Sequence, residues 1–99
     1  MSRPRRCRRI FFQPGVLYFK PQGIPLRQLE EEILTFDEAE AIRLIDSEQI
    51  EQTKAAKQMN ISQPTLSRLL TSARKKISDA IIKGKAIKIE GGSFKLFKK

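Results

Sequence analysis

From Thr35 onward the apolar positions fall at helical spacing. Phe36, Ala39, Ile42 and Ile45 recur every three residues, a period that turns one helix face toward a core. Thr35-Phe36-Asp37-Glu38 supplies the start: a hydroxyl cap, a carboxylate three residues on, and two acids at the positive end of the helix dipole. A first helix is predicted from residue 35 to residue 46 or 47. Ala55, Ala56 and Met59 continue the spacing over a second helix, about 51–59. Leu66, Leu69, Leu70, Ala73, Ile77, Ala80 and Ile81 hold one seam over a third helix, 63 to about 83, with Gly84 as its stop.

Between the second and third helices lies a tight corner. Asn60 stands where positive φ is wanted, and after Gly it is the most tolerant residue there. Ile61 plugs the core, Ser62 caps the next helix, and Pro64 occupies its first turn, where a missing N–H costs nothing. Ala56 is small where the two helices must cross. This is the layout of a helix-turn-helix, whose second helix enters a DNA major groove.

The flanks carry other periods. Residues 10–12 and 16–19 are short apolar runs divided by Pro14-Gly15, followed by a Pro21/Gly23/Pro25 loop and a weak helical turn within 26–33. From Lys85 to Phe97 the period becomes two. Ile87 and Ile89 alternate with Lys88 and Glu90, and Phe94 and Leu96 flank Lys95. Gly91-Gly92 fits a two-residue hairpin turn, with Ile89 opposite Phe94 and Ile87 opposite Leu96. The expected fold is mainly α: a helix-turn-helix bundle with a long third helix and a small C-terminal β-hairpin, which an N-terminal strand could join. One domain covers 1–99: a basic arm at 1–9, an extended segment at 10–33, the helix-turn-helix region at 34–83, and the hairpin with a basic tail at 84–99.

Charge sharpens the picture. The net charge is +9, which suits a polyanionic partner. It is segregated: 1–27 hold seven basic residues and no acid, 28–52 hold nine acids and one Arg, and 53–99 hold twelve basic residues and two acids. One cysteine and no histidine exclude an internal disulfide and argue against zinc. Cys7 sits among arginines that favour its thiolate, but it reads as a bystander in a basic arm. No cofactor and no metal are expected. Without histidine no nucleophile–base pair suggests an enzyme, and the acids of 30–51 read as a solvated face. No apolar run reaches membrane-span length, so no membrane partner is expected, and the chain reads as cytoplasmic.

With the Leu66/Leu69/Leu70/Ala73 stripe turned inward, Pro64, Arg68, Thr71 and Lys75 point outward, with Ser67 and Ser72 flanking and Gln63 at the tip. Arg68 can pair with guanine, Gln63 with adenine, and Pro64 can touch a thymine methyl. Ser67 and Thr71 can bond to base edges or phosphates. Arg74, Lys75 and Lys76, with Thr53 and Lys54 of the preceding helix, suit backbone phosphates. So do Arg3, Arg5, Arg6, Arg8 and Arg9 of the arm. The seam continues past the helix-turn-helix, so Ile77 and Ile81, with Ile87 and Ile89 of the hairpin, are expected to form a homodimer contact.

Beyond these local signals, a series of motifs runs in fixed order. It begins with Pro4-Arg5-Arg6-Cys7-Arg8-Arg9, Tyr18-Phe19-Lys20-Pro21, Gly23-Ile24-Pro25-Leu26 and Leu34-Thr35-Phe36-Asp37-Glu38-Ala39-Glu40-Ala41-Ile42-Arg43-Leu44. It ends with Ala73-Arg74-Lys75-Lys76-Ile77 and Gly84-Lys85-Ala86-Ile87-Lys88-Ile89-Glu90-Gly91-Gly92. Over nearly the whole chain this resembles a family of small prokaryotic predicted DNA-binding proteins, whose helix-turn-helix is similar to region four of sigma factors. The resemblance implies a regulator that binds DNA, with base reading on Gln63, Pro64, Ser67 and Arg68. The leading expectation is sequence-specific double-stranded DNA binding by a homodimeric transcriptional regulator. The alternative is a protein-interaction module that docks on RNA polymerase or a sigma/anti-sigma-type partner through its acidic block. A weaker rival is RNA binding by Phe11, Phe12, Tyr18 and Phe19, which read better as core.

Overall fold

The computed structural model describes residues 8–97. Arg3, Arg5, Arg6 and Cys7 of the expected arm lie outside the described residues, as do Lys98 and Lys99. In chain order the elements are β1 (Arg8–Ile10), β2 (Tyr18–Phe19), β3 (Glu31–Leu34), α1 (Phe36–Ile42), α2 (Gln52–Met59), α3 (Gln63–Lys83), β4 (Ala86–Ile89) and β5 (Phe94–Leu96). A 3-10 turn, Leu26–Gln28, precedes β3, and a π turn, Arg43–Ser47, prolongs α1.

The architecture corrects the expected mainly α bundle with a C-terminal hairpin. It is a small α/β fold in which three helices pack with two sheets. β4 and β5 do not pair with each other. β4 is the central strand of a β2-β4-β3 sheet, antiparallel to β2 and parallel to β3. β5 instead runs parallel to β1, with Arg8 opposite Phe94 and Ile10 opposite Leu96. Both hydrogen-bonding edges of β4 are therefore taken, which leaves none for β5. All three helices form the crossover between parallel β3 and β4.

Gly91 and Gly92 do take positive φ, 72° and 98°, but they serve a crossing instead of a hairpin turn. The chain passes over the start of α1, where the Gly91 carbonyl accepts from the Phe36 N–H at 3.0 Å. A Cβ on Gly92 would lie 2.5 Å from Asp37 Oδ1 and 2.8 Å from Thr35 Cβ, so only glycine permits this approach.

The helices follow their local signals. Thr35 caps α1 in a reciprocal capping box with Glu38. Two hydrophobic clusters hold the fold. Ala41, Leu44, Ala55, Ala56, Met59, Leu66 and Leu70 pack where the helices meet. Ile10, Leu34, Phe36, Ala73 and Ile89 join both sheets to α3, and the Phe36 and Phe94 rings meet at 4.9 Å. The sheets thus cover part of the seam that the sequence reading left for another subunit. The aromatics behave unevenly: Phe11 and Tyr18 are half-buried, whereas Phe12 and Phe19, read as core, are exposed.

Candidate nucleic-acid interface

The corner between α2 and α3 is built as its sequence dictates. Asn60 takes the left-handed conformation, φ 59° and ψ 46°. The Ile61 N–H donates to the Ala56 carbonyl at 3.0 Å and the Asn60 N–H to the Lys57 carbonyl at 3.1 Å, a Schellman closure. Ile61 packs on the cluster that contains Ala56. Ser62 Oγ then accepts from the Thr65 N–H at 3.2 Å, and α3 begins with Pro64 in its first turn.

This geometry leaves Gln63, Pro64, Ser67, Arg68 and Thr71 exposed on α3, and Thr53 and Lys54 exposed at the start of α2. Gln63 Nε2 reaches Thr53 Oγ1 at 3.5 Å, so the two helix tips adjoin. Arg68 donates only to Thr65 Oγ1, at 3.3 Å, among the described residues. Arg68 also borders a hollow of about 430 Å³ shared with Arg8, Gly92 and Ser93, which places a β1 cation beside the outward face of α3.

The remaining cations differ sharply in their availability. Arg74 binds Asp46 through two nitrogens, at 2.7 and 3.1 Å. The Arg74 hydrogen bonds hold the Asp46 carboxyl below its ordinary range. Lys75 pairs with Asp79 at 2.7 Å. Both are surface pairs that solvent screens, and each cation can exchange its partner for a phosphate at little cost. Lys76 is a different case. Its Nζ lies 2.7 Å from Glu38 Oε1, and Glu38 is buried. Removing it would strand a buried carboxylate, so Lys76 acts as a structural tie, contrary to the phosphate role read from the sequence. Ser72, read as flanking the outer face, also donates to Glu38.

Glu38 is the hub of this join. Burial pushes its carboxyl up, but hydrogen bonds from Lys76, Ser72 and Thr35, with the charge of Lys76, outweigh that and leave it below its ordinary value. The neighbouring acids are tied inward as well. Asp37 accepts from Arg8 Nη1 at 3.1 Å. Glu40 accepts from Arg43 at 2.8 and 2.9 Å and from the Phe11 N–H at 2.9 Å. Asp37, Glu38 and Glu40 are only 3%, 4% and 2% exposed. The solvated acidic face expected at 30–51 is therefore wrong at its centre, because these carboxylates bolt α1 to β1 and α3. The capping box and the Glu40–Arg43 pair, three residues apart, are local; the other partners, Arg8, Phe11, Ser72 and Lys76, lie 29 to 38 positions away.

Arg8 and Arg9 belong to β1 instead of a free arm. Arg9 is exposed, with its guanidinium 5.2 Å from the Phe97 ring centre. The expected dimer contact divides. Ile89 packs inside the chain's own core, Ile87 packs against that core, and Ile77 is half-buried. Ile81 and its neighbour Ile82 are 72% and 81% exposed. Among the described residues no group of His, Cys, Asp or Glu could hold a metal, and no helix is long and apolar enough to cross a membrane.

Comparison with known proteins gives the lineage. Residues 1–97 match the family described as "Protein of unknown function DUF134". The chain belongs to that family. It is 58% identical over 96 residues to a UPF0251 protein of Dehalococcoides mccartyi, an alignment covering 97% of this chain and 82% of the relative. A UPF0251 protein of Moorella thermoacetica is 54% identical over 96 residues, covering 97% of this chain and 64% of that protein. A third, from Caldanaerobacter subterraneus, is 54% identical over 97 residues, covering 98% and 82%. The family is thus prokaryotic, and the names of these relatives state no activity. No solved structure matches.

Proposed function

We propose that this chain binds double-stranded DNA in a sequence-specific way and acts as a transcriptional regulator. The observation that carries the reading is the outward stripe of α3. Gln63, Pro64, Ser67, Arg68 and Thr71 are all exposed at the tip of a helix whose start is fixed by a closed corner. In this reading Arg68 and Gln63 read base edges, Ser67 and Thr71 bond to edges or phosphates, and Pro64 packs on a methyl group. Thr53, Lys54, Arg74, Lys75 and Arg9 supply backbone contacts, whereas Arg8, read from the sequence as another, is held by buried Asp37 as Lys76 is by Glu38. The resemblance read from the sequence of residues 52–70 to region four of sigma factors supports the same assignment.

The reading extends to a homodimer. The outer stripe of α3 passes from polar positions through Arg74 to exposed Ile81 and Ile82, an apolar end without cover from the described residues. Ser67 and Ile81 are 14 positions apart on one helix, or about 21 Å at 1.5 Å per residue. Two such helices meeting at their C-terminal ends place their reading tips about 42 Å apart in line. Inclination shortens that toward the roughly 34–36 Å between half-sites one DNA turn apart. The alternative, docking on RNA polymerase or a sigma-type partner, has less support because Asp37, Glu38 and Glu40 are buried.

Selection of bound duplexes from a random pool tests the proposal. A two-half-site motif should emerge. Arg68→Ala should weaken binding to it by about 1–3 kcal/mol and weaken binding to random duplex less. A pool without enrichment, or equal losses on both duplexes, would refute base reading by α3.

A further inference from the structure

We infer that the chain carries a second site, for a small, mostly apolar molecule with one hydrogen-bond-accepting oxygen. It lies between α1, the sheet and the 12–19 segment. The cavity measures about 400 Å³, within the range of small-molecule sites. Leu34 and Ile89 form its floor, Ala39 and Ile42 one wall, and Phe12 and Val16 the rim. Phe12, Val16 and neighbouring Phe19 are 52%, 59% and 52% exposed. A ligand that fills the hollow removes that apolar surface from water.

The polar end of the cavity sets the chemistry of the ligand. Glu40 and Arg43 both line it. The Glu40 carboxylate already accepts from Arg43 Nε, Arg43 Nη2 and the Phe11 N–H. Arg43 Nη1 has no acceptor among the described residues. The pair is charge-balanced, so the cavity offers a donor without a net charge. That favours a ketone or amide oxygen over a carboxylate, which would approach Glu40.

A second, independent feature points to the same place. Arg43 and Ser47, at the two ends of the π turn, both line the cavity, and single π turns recur at functional sites. Asp46 of the same turn holds Arg74 of α3. A ligand bonded to Arg43 therefore acts on the turn that restrains a proposed DNA contact, and the coupling must be reciprocal. This consequence rests on the DNA reading; occupancy of the cavity does not.

The test uses the full chain and Prodan, a neutral naphthalene ketone whose emission reports polarity. Emission should shift to the blue and saturate at one probe per chain. Ala39→Met, which fills the cavity, and Phe12→Ser, which removes an exposed rim, should each weaken binding roughly tenfold. Phe12→Ser keeps the test decisive if Ala39→Met disturbs the fold. Acetonaphthone should displace the probe roughly tenfold better than ethylnaphthalene, which lacks the oxygen. A signal that never saturates, full affinity in Phe12→Ser, or equal displacement by the hydrocarbon overturns the site. None of these readouts contains DNA, so the proposed function can fail without affecting them.

Discussion

Glu38→Gln removes the charge from the carboxylate that joins α1 to α3. Breaking a buried ion pair by deleting one partner costs about 3–5 kcal/mol. Two features lower that here. The Lys76 side chain is 28% exposed and can turn toward water, and the amide keeps an oxygen for the Thr35 N–H, now bonded at 2.9 Å. A loss of about 2–3 kcal/mol remains. For a domain of this size that lowers the thermal midpoint by about 10–20 °C. Urea unfolding of Glu38→Gln, Lys76→Met and the double variant should give a coupling energy of about 1–3 kcal/mol. The pH dependence follows from the depressed carboxyl. Because the unfolded chain takes up the proton more readily, the contribution is complete above the ordinary value of 4.5. It is lost as pH falls from there through the folded value. The wild type should therefore lose stability in that acid window, and Glu38→Gln should lose less. A variant midpoint equal to the wild type, or a coupling below about 0.5 kcal/mol, would refute the hub.

The remaining predictions concern binding, the crossing and assembly. Arg74→Ala and Lys75→Ala should each lower the slope of log affinity against log salt by about one. Lys76→Met should leave that slope unchanged; anisotropy titrations at several salt concentrations separate the cases, and a slope lowered by Lys76→Met contradicts its structural role. Gly92→Ala should cost about 2–4 kcal/mol because its Cβ strikes the α1 cap at positive φ. Gly91→Ala, with nothing within 4 Å of its Cβ, should cost only about 1–2 kcal/mol, so equal losses in chemical denaturation argue against the close crossing. Ile81→Glu should keep the wild-type circular dichroism while giving monomers by light scattering, with a thermal midpoint that no longer depends on protein concentration; a wild-type monomer at tens of micromolar would end the dimer reading.

The helices were legible because their signals are local. The Thr35 box, Asn60, Ser62, Pro64 and Gly84 each act within one turn, and the seam from Leu66 to Ala80 repeats often enough to define a period. The sheets were not legible for the complementary reason. β3 is four residues long and begins with two acids, so it presents little β alternation. Its partner β4 lies more than fifty positions away, with Glu31 opposite Ala86. Gly91-Gly92 was read wrongly as a hairpin turn, although both residues take positive φ. Glycine reports a permitted backbone conformation; it does not identify the strand that pairs after the turn.

The same distinction decides what was visible of the site. A helical wheel gives the direction of a side chain, and it turned Pro64, Arg68, Thr71 and Lys75 outward, where all four are exposed. It does not say which directions a neighbouring element already occupies. Ser72 and Lys76 sit one turn apart on α3, and α1 fills the space beside them with Glu38. The acidic block therefore has an internal purpose. Its buried carboxylates bind Arg8, Arg43 and Lys76, while Lys54, Arg68 and Arg9 stay exposed without a carboxylate partner among the described residues. Part of the acidic block is thus spent inside the fold: Asp37, Glu38 and Glu40 hold the mount of α3, while Asp46, Glu48 and Glu51 stay exposed.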